Sequence, residues 1–90
     1  MTSYWATTLN LSGIEFILVK ADWPAVKNPR DRPLFVRKLE SIFPGKHIVI
    51  ATRDPLSKNP GADFFGAPQL VAYLAGHKLA DFPWREVKAL

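Results

Sequence analysis

The chain reads as an α+β domain of order β-β-α-β-α-β: a four-stranded mixed sheet with two helices packed on one face. Three observations predict it. Ile48-Val49-Ile50-Ala51-Thr52 is apolar at successive positions and β-branched, the pattern of a strand covered on both sides. The first twenty residues hold two alternating stretches around Ser12-Gly13. The segments before and after the central strand each carry one apolar stripe at helical spacing, so they can supply its cover.

In chain order, Tyr4 to Leu11 sets Trp5, Thr7, Leu9 and Leu11 on one side and Tyr4, Ala6, Thr8 and Asn10 on the other. Ser12-Gly13 is a two-residue hairpin signal, because Gly supplies the positive φ such turns need. Ile14 to Ala21 then returns as a second strand, with Phe16 and Leu18 opposed to Ile17 and Val19. Asp22 to Arg32 is expected to be an irregular linker. Pro24, Pro29 and Pro33 each remove a donor and restrict the residue before them. Asp31 is the expected N-cap of the first helix, with Pro33 tolerated in its first turn. Leu34, Phe35, Leu39, Ile42 and Phe43 form its apolar face, with Val36 beside them and Arg37, Lys38, Glu40 and Ser41 opposite. Burying those five apolar side chains contributes on the order of 10 kcal/mol gross, before ordering entropy.

Pro44-Gly45 ends that helix and turns the chain into the central strand. Pro55 to Gly66 reads as a long loop, since two prolines and two glycines exclude a helix or a central strand. Pro68 suits the first turn of a second helix, whose face is Leu70, Val71, Leu74 and Tyr73 and whose end is Gly76. His77 and Lys78 then stand at its negative dipole end. Trp84 to Leu90 reads as the last strand. The central strand, second helix and last strand are expected to form a parallel crossover.

Ninety residues with 48% hydrophobic content make a single small domain, 1–90, that buries roughly 60 to 65% of its unfolded surface. There is no cysteine, which removes disulfides, thiolate metal sites and cysteine nucleophiles. The longest apolar run, Ile14 to Val19, contains Glu15 and falls far short of the roughly 20 residues of a membrane span. The opening Met1-Thr2-Ser3-Tyr4-Trp5 lacks the basic start and apolar core of a signal peptide. The expected setting is the cytoplasm, without membrane contact.

The net charge is +4. Lys27, Arg30, Arg32, Arg37 and Lys38 face a single anion, Asp31, within twelve residues, so this stretch holds the whole excess. The five cations form a candidate anion or nucleic-acid site, with Arg30 and Arg32 at a proline-restrained turn near a helix start. The plainer alternative is a solvated helix face. A nucleic-acid surface making about four phosphate contacts would lose affinity with salt at a log–log slope near about −3.6.

A second candidate is the loop bearing Phe64, Phe65 and Gly66. Adjacent aromatics in an extended chain point opposite ways, so one can anchor a partner or stack on a base. The alternative is that both cover the sheet edge. A third candidate is Arg53-Asp54 at the exit of the central strand, where open α/β sheets tend to bind ligands. Asp before Pro also simply begins turns. His47 and His77 belong to no motif. The four serines make no GxSxG elbow, and no Gly-rich phosphate loop occurs. Neither a catalytic set, a metal set nor a cofactor motif is present.

The reading is a non-enzymatic binding module for nucleic acid or an acidic protein surface. The first alternative is a small-ligand binder or enzyme acting at Arg53 and Asp54. The second is a homo-oligomeric subunit, with monomer and homodimer both open.

Overall fold

The fold is described from a computed structural model. It describes residues 2–58 and 60–89. Leu90, the expected end of the last strand, and Asn59, inside the expected loop, lie outside the described residues.

The elements are β1 (Thr2–Leu11), β2 (Ile14–Lys20), α1 (Trp23–Val26), α2 (Asp31–Glu40), β3 (His47–Thr52), β4 (Asp63–Phe65), α3 (Pro68–Leu74), a 3-10 turn (Leu79–Asp81) and β5 (Arg85–Ala89). The sheet is mixed, but it has five strands rather than four, in the order β4-β3-β2-β1-β5. β1 and β2 form the expected antiparallel hairpin. Ser12 and Gly13 take φ of 52° and 87°, the left-handed pair that matches the twist of adjoining strands.

The additional strand is β4. Prolines and glycines confine it to three residues at the sheet edge, where it pairs antiparallel with β3 through Ala51 and Phe64. The expected pairing of the last strand is also corrected. β5 runs antiparallel to β1, at the far side of the sheet from β3. The parallel crossover instead joins β2 to β3, whose register sets Leu18 beside Val49 and Val19 beside Ile50. The linker is not wholly irregular either. Trp23 to Val26 makes one helical turn, because Pro24 occupies the first turn, where no N–H is needed.

The helices do not share a face. Phe16, Leu18, Val49 and Ala51 on one side of the sheet pack with Leu70 and Leu74 of α3 and with Phe64. On the other side, Ile17, Val19 and Ala6 pack with Leu39 of α2, while Ile50 and Ala21 pack with Val26 of α1. The physical reason is the two-sided composition of both inner strands. Phe16 to Val19 and Val49 to Thr52 are buried at every position, so each face needs its own lid.

α2 also departs from its expected stripe. It begins at Asp31 with Arg30 as the flanking residue, and no side chain caps it. Asn28 serves the entry instead: its Oδ1 accepts from Arg30 N at 3.1 Å, and its carbonyl accepts from Asp31 N at 2.9 Å. The helix closes at Glu40, and Ile42 and Phe43 fold back onto the Leu39 carbonyl as a turn. Phe35, Val36 and Leu39 face the sheet, whereas Leu34, expected in the core, is 53% exposed.

This asymmetry fixes an expected outcome. Leu39→Ala should cost about 3 kcal/mol, the usual loss for emptying a buried leucine site. Leu34→Ala should stay within about 0.5 kcal/mol of the parent. Urea melts of the two variants, compared by midpoint at a common slope, check the pair.

Candidate functional site

The cation-rich stretch divides into two groups. Arg32 is half-buried and turned back onto the chain. Its Nε donates to the Val26 carbonyl at 2.8 Å and its Nη2 to the Lys27 carbonyl at 3.3 Å. The guanidinium lies 3.7 Å from the centre of the Phe65 ring. A planar fork of donors can satisfy the carbonyls ending α1 and stack on an aromatic at once. Arg32 is therefore a structural clamp between α1, α2 and β4, and these contacts already engage the guanidinium expected at a phosphate.

Lys27, Arg30, Arg37 and Lys38 are exposed. The ion pairs of the described residues are Lys46 with Glu15 and His77 with Asp81, and none of these four cations has a side-chain partner. Arg30, which flanks α2, and Asp31, Arg37 and Lys38 within it occupy the positions four before, three before, three after and four after Leu34. These are the nearest neighbours on a helix surface. The exposed leucine thus sits among three unpaired cations and one carboxylate. Beside it a cleft of ≈ 350 Å³ is lined by Tyr4, Ala25, Asp31, Leu34, Phe35 and Lys38. Tyr4 and Phe35 meet edge to face there, with ring centres 6.1 Å apart.

The second candidate, Phe64-Phe65-Gly66, is not a free loop. Phe64 is buried in the α3-side core and meets Phe82 edge to face at 6.2 Å. Phe65 faces the opposite side, half-buried beneath Arg32. Gly66 does leave room for a close approach, but β3 uses it. A Cβ there would stand 3.1 Å from Val49 Cγ2 and 3.3 Å from the Ile48 carbonyl. On that side the smallness of Gly66 serves packing against β3.

At the exit of β3, Arg53 and Asp54 hold the following loop. Arg53 Nη1 donates to the Gly61 carbonyl. Asp54 Oδ1 accepts from Leu56 N at 2.9 Å, the Asx turn that an Asp before Pro favours. Asp54 N in turn donates to Asp63 Oδ2 at 3.0 Å. Gly61 lies against the backbone after α3, and the Ala62 N–H reaches the His77 carbonyl at 2.8 Å. Among the described residues no three His, Asp or Glu side chains converge as a metal would require, and no helix is long and apolar enough to cross a membrane.

Two features here had no local signal. Phe65 is far along the chain from Arg32, so their contact follows only from the sheet order. Thr52 is wholly buried at the end of β3, and its Oγ1 has no hydrogen-bond partner among the described residues. In sequence it reads only as one more β-branched residue.

Both features have expected consequences. Arg32→Ala should lose about 1–2 kcal/mol of stability, and Arg32→Lys should recover less than half, because an ammonium cannot reproduce the fork and the stack. Thermal melts with Phe65→Leu as the cycle partner measure the coupling. Thr52→Val should leave stability equal or raise it by about 1 kcal/mol, since an unpaired buried hydroxyl is exchanged for a methyl of similar shape. The readout is a melting point unchanged or higher by a few degrees. No protein-family model, curated protein or solved structure matches the chain, so the site is defined by these side chains alone.

Proposed function

We propose that the chain is a non-enzymatic binding module that docks an acidic protein segment on the outer face of α2. The observation that carries this reading is Leu34, 53% exposed and surrounded by Arg30, Arg37 and Lys38, whose side chains have no partner among the described residues. Protein interfaces place an apolar anchor at the centre and charge at the rim. The adjoining cleft, bordered by Tyr4 and Phe35, offers room for one apolar side chain of the partner. Carboxylates on either side of that anchor would meet the cations, which favours fast association and a defined register.

Nucleic acid remains the second reading, and the same cations favour it. Interfaces with nucleic acid are more polar and take most of their affinity from phosphates. Three helix cations give a smaller footprint than the five counted in the sequence, because Arg32 is withdrawn and Lys27 belongs to the preceding turn.

The experiment is an amide-shift titration with a short peptide holding one leucine within a run of glutamates, beside an oligothymidylate of equal length. The expected result is saturable movement of residues 30–41 with the peptide. Leu34→Ser should weaken it about fivefold or more, and Arg37→Glu should weaken it further. Unmoved α2 amides at low salt would end the proposal. Tighter binding of the oligonucleotide, insensitive to Leu34→Ser, would replace it with the nucleic-acid reading.

A further inference from the structure

On the face covered by α1 and α2, the sheet is left open at its β1–β5 end. A cleft of ≈ 400 Å³ lies there, with Ala6, Thr8, Ile17, Phe43, Pro83 and Arg85 among the residues that line it. We infer that this cleft binds a small aromatic carboxylate, with Arg85 holding the carboxylate and the ring lying on Ala6 and Ile17 against Phe43.

Three independent features support the inference. The floor is apolar and firm: Ala6 and Ile17 are buried core residues, and Ile17 belongs to the parallel β2–β3 pair. The walls are formed in advance. On one side Phe43 is held by its N–H on the Leu39 carbonyl at 2.8 Å. On the other, Pro83 is the centre of a three-residue turn in which Trp84 N donates to the Phe82 carbonyl at 3.0 Å. Trp84 Nε1 is fastened in turn to the Leu79 carbonyl at 2.6 Å. Sites of this volume with pre-set apolar walls and few polar groups are the ordinary form of small-molecule pockets.

The third feature is the charge. The β1–β5 ladder ends at Ala6 opposite Arg85, because the turn at Pro83 carries the chain away from β1. Arg85 therefore stands on the cleft face just where the ladder stops, exposed, with no ion pair or hydrogen bond of its side chain among the described residues. Glu86, its neighbour, alternates to the other face. Glu15, on the cleft face of β2, is already paired with Lys46. Thr8, the next residue of β1 on the cleft side, presents a hydroxyl that has no partner among the described residues. A guanidinium and a hydroxyl above an apolar floor match a carboxylate on a flat ring. The guanidinium offers two parallel donors and the hydroxyl a third.

This site does not involve the outer face of α2, so the two proposals fail separately. The probe is 2-naphthoate, titrated into the full chain and followed by amide shifts, with neutral 2-naphthamide and flexible octanoate as comparators. The expected map is residues 6–8, 17, 43 and 85–87, saturating in the millimolar range or below. Naphthamide and octanoate should each bind at least tenfold more weakly. Arg85→Gln should weaken naphthoate at least tenfold, and Thr8→Phe, which fills the cleft from an exposed position, should abolish the shifts while the remaining spectrum stays that of the folded chain. Equal affinity of Arg85→Gln, equal binding of the neutral amide or of octanoate, or a map lying on residues 30–41 would each overturn the assignment.

Discussion

The structure depends on one constraint: two parallel strands at its centre are apolar on both faces. Phe16 to Val19 of β2 and Val49 to Thr52 of β3 lie fully inside. Such a pair cannot face water on either side, and parallel neighbours need a crossover long enough to return the chain. α1 and α2 meet both needs for one face, being at once the crossover and the cover. The other face is closed by chain that follows β3, namely α3 with Phe82 and Trp84 beside it. The three layers follow from these few residues.

The same strands show how far the sequence could be read. The turn at Ser12-Gly13, the burial of the central strand (complete at Val49–Thr52 and partial at Ile48) and the end of α3 before Gly76 are each encoded within a few residues, and each is found close to where the pattern sets it. What was not legible is non-local. The two-sided run at Phe16–Val19 demands a second lid as strongly as β3 does, yet no local pattern says which helix goes to which side. β5 could have joined any edge. Its place beside β1 is decided by the turn at Pro83 and the anchoring of Trp84. Leu34 has the spacing of a core residue, but α2 is rotated so that Phe35, Val36 and Leu39 take the sheet. Of the candidate site residues, Arg30, Arg37 and Lys38 keep the exposure that their composition suggested. Phe64, Phe65, Gly66 and Arg32 are absorbed by packing that only the folded chain reveals.

Charge is distributed accordingly. Arg30, Arg37, Lys38 and Arg85 are among the cations without a side-chain partner among the described residues, and they lie exposed on the outer face of α2 and at the start of β5, whereas Arg32 is held by carbonyls and an aromatic ring. An exposed cation costs little to leave unpaired, because water solvates it. A helix face and a strand end can thus carry free charge without weakening the fold, and both stand beside apolar clefts.

The position of Arg32 also bears on how the molecule comes apart. One side chain links the end of α1, the start of α2 and the ring of Phe65 on the edge strand. The crossover and the edge strand β4, which are distant in sequence, are thereby tied into one cooperative block. Loosening either should release the other, so amide protons on β4 would be expected to exchange in step with those of α1 rather than fray alone as a three-residue edge otherwise would.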